Sequence, residues 1–260
     1  MTILGWIISF TLLGGVAGAL LASLFLLVPE QTRTRALPFM VAFATGALLG
    51  AALLGLLPEA VELAGPNGYR SVGLSLLGGI ALFFVLEKLV LWRHCHEDDC
   101  ETHTPDDGTR RRSSGAMVIV GDTVHNVLDG VLIAAAFLID IRLGVMTGLA
   151  VLAHEVPSEV GDFAVLLHSG MSRAQAMFWN LMSALGSMVG GVLGYYALSR
   201  VQQVLPYALG VSAACLLYVA VADLIPGLHR KVDLKTSVLQ VILIGLGVLL
   251  VAGVEALQPG

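Results

Sequence analysis

Charge is what this sequence has least of. Lys and Arg total 14 and Asp and Glu 19 in 260 residues, 13% together, against 57% hydrophobic residues, and the mean hydropathy is +0.86. A soluble domain carries roughly a quarter charged residues, so this composition excludes one, although the length alone would suit it. The net charge of −5, with no basic amphipathic stretch, excludes the electrostatic footprint of a nucleic-acid partner and of surface-only membrane binding. No G-x-x-x-x-G-K-[ST] occurs, which excludes a P-loop nucleotide engine. Cysteine is scarce too, at three, and Cys215 falls in an apolar stretch where packing is its expected role.

What is present is a series of apolar stretches. Ile3–Val28 has no Lys or Arg ahead of it, and at about 26 residues it exceeds a signal-peptide core, so it is read as mature structure. Seven more follow: Leu37–Leu57, Val72–Trp92, Ala116–Ile139, Leu143–Leu167, Ala174–Ser199, Leu205–Leu228 and Ser237–Ala256. Each is long enough as a helix to cross about 30 Å of hydrocarbon. The expectation is an all-α polytopic membrane protein: one domain over residues 1–260, a bundle of eight transmembrane helices in a plasma (inner) membrane.

The connections after spans 1, 3, 5 and 7, taken with Lys88 at the inner end of span 3, hold eleven of the 14 Lys and Arg; Arg70, Arg142 and Arg200 lie on the other side. The positive-inside bias places both termini outside and the loop of about residues 93–115 in the cytoplasm. Gly14 with Gly18, Gly46 with Gly50, and Gly186, Gly190 and Gly194 at intervals of four read as helix-packing signals. No short-period repeat is visible, and a two-fold relation between spans 1–3 and 6–8 is faint.

Spans 4 and 5 hold the chemistry. Span 4 carries Asp122, His125, Asn126 and Asp129; span 5 carries His154, Glu155, Ser158, Glu159 and Asp162. An acid at mid-span costs about 2.5–3.5 kcal/mol on an insertion scale, and these five acids have no Lys or Arg near them in sequence. A bound cation is the simplest counter-charge. His125 and Asp129 share a face at i and i+4, as do His154 and Ser158, with Glu155, Glu159 and Asp162 on an adjacent stripe. Pro157 should kink span 5 there. Imidazole with carboxylate suits Zn²⁺, Mn²⁺ and Fe²⁺, whereas Ca²⁺ and Mg²⁺ prefer oxygen alone.

His125-Asn-Val-Leu-Asp129-Gly130 and His154-Glu155-Val-Pro157-Ser158-Glu159-Val-Gly161-Asp162 resemble the signature helices of the ZIP (Zrt/Irt-like) divalent-metal transporters. The second run is similar to the subfamily motif H-E-x-P-H-E-x-G-D. The resemblance extends to eight spans, both termini outside, Leu57-Pro58-Glu59-Ala60 closing span 2, and a His-bearing loop between spans 3 and 4. It implies zinc-type transport toward the cytoplasm by a moving homodimeric bundle, with His125, Asp129 and His154 as primary ligands. Asn126 and Glu155 would line the same or an adjacent site. Ser158 stands where the motif has a second His, so water, Glu159 or a group on another span would complete fourfold coordination of Zn²⁺. Weaker affinity or a broader choice among Zn²⁺, Fe²⁺, Mn²⁺ and Cd²⁺ is the expected consequence.

The remaining acids outline a path. Glu59, Glu62 and Asp140 lie at outer helix ends, and Asp122, Asp162 and Asp223 on the cytoplasmic side of the His pair, so mouth acids would attract cations and inner ones pass them on. The 93–115 loop gathers His94, Cys95, His96, Cys100 and His103 among six acids. It has no periodic apolar pattern and should be a mobile tether or a loose metal-collecting element, not a closed zinc finger. A membrane metalloprotease is the first rival, since His154-Glu155 opens H-E-x-x-H, but Ser158 takes the place of the essential second His. A metal-sensing protein that moves no ion is the second.

Overall fold

A computed structural model describes residues 1–25, 27–95, 107–229 and 233–256, and among them every regular element is helical. Eight helical spans follow one another: Ile3–Phe25, Glu30–Ala64, Tyr69–Cys95, Asp107–Ile139, Ile141–His168, Arg173–Leu198, Leu205–Leu228 and Leu234–Ala256. Seven contain a stretch long and apolar enough to cross a membrane. Span 5 is as long, at 28 residues, and falls short only in apolar content because Glu155, Glu159 and Asp162 lie on it. The chain is an all-α, multi-pass membrane bundle.

Helices outrun the apolar stretches. Span 2 has 35 residues, about 52 Å at 1.5 Å per residue, well beyond the hydrocarbon thickness of about 30 Å. Arg33 and Arg35 therefore ride on helix, not in a loop. The expected 93–115 loop is corrected in the same way: Arg93–Cys95 end span 3 and Asp107–Gly115 open span 4. Hydropathy marks only the part of a helix that meets lipid, while backbone hydrogen bonding continues into water. His96, Cys100 and His103 lie outside the described residues, and of His94 and Cys95 only the helical backbone is described.

Three spans change pitch. Leu12–Ala17, Ala51–Leu56 and Val219–Leu224 are π-helical turns. The last two run into Pro58 and Pro226 at the start of the next α-helical turn. Proline lacks an N–H and crowds the carbonyl four residues back, and a wider turn relieves both. The repeat of π-turn and proline in spans 2 and 7 gives the faint two-fold pattern a concrete form. So does helix pairing: span 2 packs on span 8 and span 3 on span 7, a pairing that maps onto itself when spans 1–3 and 6–8 exchange.

Spans 4 and 6 cross at backbone contact. A side chain on Gly190 would collide with the Val127 carbonyl, and one on Gly130 with the Ser187 carbonyl. Span 1 is tied to the same pair: Ser187 Oγ donates to the Thr11 carbonyl at 2.9 Å, and Trp6, Phe10 and Phe137 stack with ring centroids 5.3–6.2 Å apart. Cys215 is buried in the apolar core. The helix that carries His125 is thus held rigidly on two sides.

Candidate metal centre

Spans 4 and 5 are joined through a single non-helical residue, Asp140. Its carboxylate caps span 5, accepting from the backbone N–H of Arg142 at 2.8 Å and of Leu143 at 3.4 Å. A turn this short makes the two helices antiparallel neighbours with a fixed register. His125 lies fifteen residues before it and His154 fourteen after, so both sit about 21–23 Å down their helices, at one depth.

Four ligand atoms converge there. His154 Nε2 lies 3.2 Å from His125 Nε2, 3.2 Å from Asp129 Oδ2 and 3.4 Å from Glu155 Oε1. His125 Nε2 is 3.6 Å from Glu155 Oε1 and 3.8 Å from Asp129 Oδ2. All four atoms lie within 4.8 Å of one another. An ideal tetrahedron with metal–ligand bonds of about 2.0–2.1 Å has edges of roughly 3.3–3.4 Å. The group therefore matches four-coordinate zinc with two nitrogens and two oxygens.

Asp129, His154 and Glu155 are each 1% exposed, whereas the His125 side chain is 25% exposed and gives the group its opening. His154 Nδ1 lies 3.3 Å from the Ala150 carbonyl. A carbonyl can only accept, so Nδ1 carries the proton and the Nε2 lone pair points into the group, as a metal ligand needs. Both carboxylate oxygens of Asp129, Glu155 and Glu159, and Oδ1 of Asn126, are buried without a hydrogen-bond donor. Buried oxygens are nearly always satisfied, and here seven are orphaned in one neighbourhood.

Other expected residues fall around this group. Asn126 is beside it, its Nδ2 donating to Asp122 Oδ1 at 2.9 Å and leaving Oδ1 free. Glu159 is not one of the four; its backbone carbonyl accepts from Asn180 Nδ2 at 3.4 Å. Asp122, Pro157, Ser158 and Asp162 line a cavity of about 250 Å³ together with His125 and His154. Val219 and Leu224 of the π-turn in span 7 also line it. Span 5 stays helical through Pro157. Asp223 lies on that π-turn, and its side chain is outside the described ones.

A second cavity, of about 390 Å³, lies toward the other membrane face and is lined by Glu59, Glu62, Asp140, Arg142 and Met146. The two cavities share no residue. Met146, eight residues before His154, packs on Gly55 of the π-turn in span 2. Sequence reasoning missed this residue and the Ala150 carbonyl; Gly18, which it read as a helix-packing position, is one, since an added Cβ there would lie 3.3 Å from Glu155 Cβ. The polar stripe Asn180, Ser183 and Ser187 on span 6, at helical spacing, was the available signal for the face that packs on the site.

Comparison with known proteins agrees with this geometry. Residues 92–255 match the family model described as ZIP Zinc transporter. Zinc transporter ZIP13 of Pongo abelii is 32% identical over 221 residues, 80% of this chain and 64% of that protein. Zinc transporter ZIP5 of Homo sapiens is 35% identical over 84% of this chain and 51% of its own, and zinc transporter ZIP10 of Danio rerio is 40% identical over 53% and 17%. The chain thus spans less than two thirds of the length of each of these relatives. The matched region contains both helices that bring His125, Asp129, His154 and Glu155 together, and the chain belongs to the ZIP zinc transporter family.

Proposed function

We propose that this chain carries divalent transition-metal cations across a membrane, zinc foremost, with the ion held by His125, Asp129, His154 and Glu155. The tetrahedral fit of four convergent ligand atoms is the observation that carries this reading. Two carboxylates neutralise Zn²⁺ and two neutral imidazoles add borderline-soft donors, a set that favours Zn²⁺, Fe²⁺, Mn²⁺ or Cd²⁺ over Ca²⁺ and Mg²⁺. Asn126 Oδ1 is a further oxygen at the edge of the same site.

Transport runs toward the side rich in Lys and Arg, the cytoplasm, across a plasma (inner) membrane, in a homodimer. An acid-lined cavity on one side and a separate cavity reaching His125 on the other support a carrier whose site is open to one face at a time. Acids at the outer mouth raise the local cation concentration, and the four-atom group selects. The reading includes no catalytic step. A protease would need an imidazole at position 158, which is Ser158.

Purified protein in liposomes loaded with a zinc-sensitive dye tests the proposal. Wild type should fill the vesicles with zinc, and His125→Ala should lose the flux. A filling rate that His125→Ala leaves intact would refute it, and binding without filling would support the sensor instead.

A further inference from the structure

A third cavity, of about 270 Å³, shares no residue with the other two. Spans 3 and 7 pack on each other, as do spans 4 and 6, and this cavity lies between the two pairs. Phe83 of span 3, Leu132 of span 4 and Cys215 of span 7 line it and are buried, whereas Val204 and Tyr207 line it and are exposed. It therefore opens at the level of the turn that joins spans 6 and 7. From Tyr207 to Cys215 is eight residues, so the slot follows span 7 inward for about 12 Å.

The lining settles what can enter. No charged side chain lines the slot, and Ser212 and Tyr207 bring its only hydroxyls. A buried water needs two to four polar partners, so water does not fill it. In a membrane-spanning chain the phase at such an opening is lipid. Spans 5 and 6 each cross once, so the opening lies on the membrane face of Asp140. The slot runs along the helices, as acyl chains run across a leaflet. A second copy of the chain would lay a helix face over the mouth and leave the buried part empty, which close packing disfavours.

The mouth carries a positive charge. Arg200 falls between Leu198 and Val204, which both line the slot. It is exposed, and among the described residues no carboxylate pairs with it. Tyr207 at the rim suits the interfacial depth at which Tyr collects. A guanidinium matches phosphate with a fork of N–H donors. Phosphate above and hydrocarbon below is the pattern of one phospholipid.

We infer that the slot between spans 3, 4, 6 and 7 holds one acyl chain of a phospholipid from the leaflet on the Asp140 side, with the lipid phosphate on Arg200. The chain bridges the two helix pairs. It also backs the helix that carries His125 and Asp129, because Leu128 and Leu132 line the slot and flank Asp129 on span 4.

Native mass spectrometry of the full chain released from detergent micelles tests this, with titration by phosphatidylglycerol and, separately, by diacylglycerol of the same acyl chains. Wild type should keep one phosphatidylglycerol at collision energies that strip the rest, and bind diacylglycerol about tenfold or more weakly, the worth of a charged hydrogen bond. Arg200→Gln should remove that preference. Ala208→Phe, which puts a ring into the slot, should lose the retained lipid, while Leu193→Phe on the exposed face of span 6 should keep it. Equal lipid retention by Ala208→Phe and wild type would overturn the inference. So would a wild type that holds no phospholipid but whose dimer dissociates in Ala208→Phe, which would assign the slot to a second copy. Should Ala208→Phe melt far below wild type, Arg200→Gln decides, since its turn is exposed: an unchanged preference for phosphatidylglycerol would overturn the inference.

Discussion

His154 is the hub of the four-atom group, with the other three ligand atoms at 3.2, 3.2 and 3.4 Å. His154→Ala therefore removes a ligand whose tautomer the backbone fixes, through Ala150. Four-ligand structural zinc sites bind with about 10–16 kcal/mol, or about 2.5–4 kcal/mol per ligand, so replacing one by water should weaken binding roughly 10²- to 10³-fold. Second-shell changes cost about 10- to 100-fold, and the larger loss distinguishes a ligand from a supporting residue. The assay is competition of the purified variant with a zinc chelator of known affinity, with thermal unfolding in chelator to confirm the fold. An apparent Kd within about threefold of wild type would refute the reasoning, because no direct zinc ligand can be removed so cheaply.

Glu155→Gln removes a bare buried carboxylate, so the metal-free protein should melt higher than wild type, while the stabilisation of about 2.7 kcal/mol expected from zinc at 100 times its Kd should vanish; a lower metal-free Tm contradicts this. Gly130→Val places a branched side chain against the Ser187 carbonyl and should destabilise by about 1–3 kcal/mol or more, read as a lower Tm; unaltered melting would mean that spans 4 and 6 do not cross as described. Ser158→His adds an imidazole to the cavity wall beside His125 and His154, and should tighten zinc binding by about tenfold or more and slow the filling of liposomes. Unchanged affinity and metal preference would show that position 158 does not face the ion.

The spans were legible because hydrophobic length records lipid contact, and the acids of spans 4 and 5 stood out against that background. Helix ends were not, since Arg33, Arg35 and Arg110 continue helices beyond the part that meets lipid. His125, Asp129 and His154 could be read from i, i+4 spacing, and Glu155, assigned to the same or an adjacent site, supplies the fourth atom. Spacing alone grouped Glu159 with them, because i and i+4 on one helix share a face. Which part of that face meets which residue of span 4 depends on the register between helices. Counting outward from Asp140 would have shown it: His125 with His154, and Asp122 with Glu159. The π-turns carried only the indirect signal of Pro58 and Pro226.

Zinc K-edge X-ray absorption on the purified full chain with one bound equivalent examines the central claim most directly. Four nitrogen and oxygen ligands at about 2.0–2.1 Å, with multiple scattering from two imidazoles that falls to one in His125→Ala, is the predicted spectrum. A sulfur shell near about 2.3 Å would instead place the metal on the cysteines between spans 3 and 4, and six oxygens without imidazole would place it among the acids; either contradicts the site assigned to His125, Asp129, His154 and Glu155.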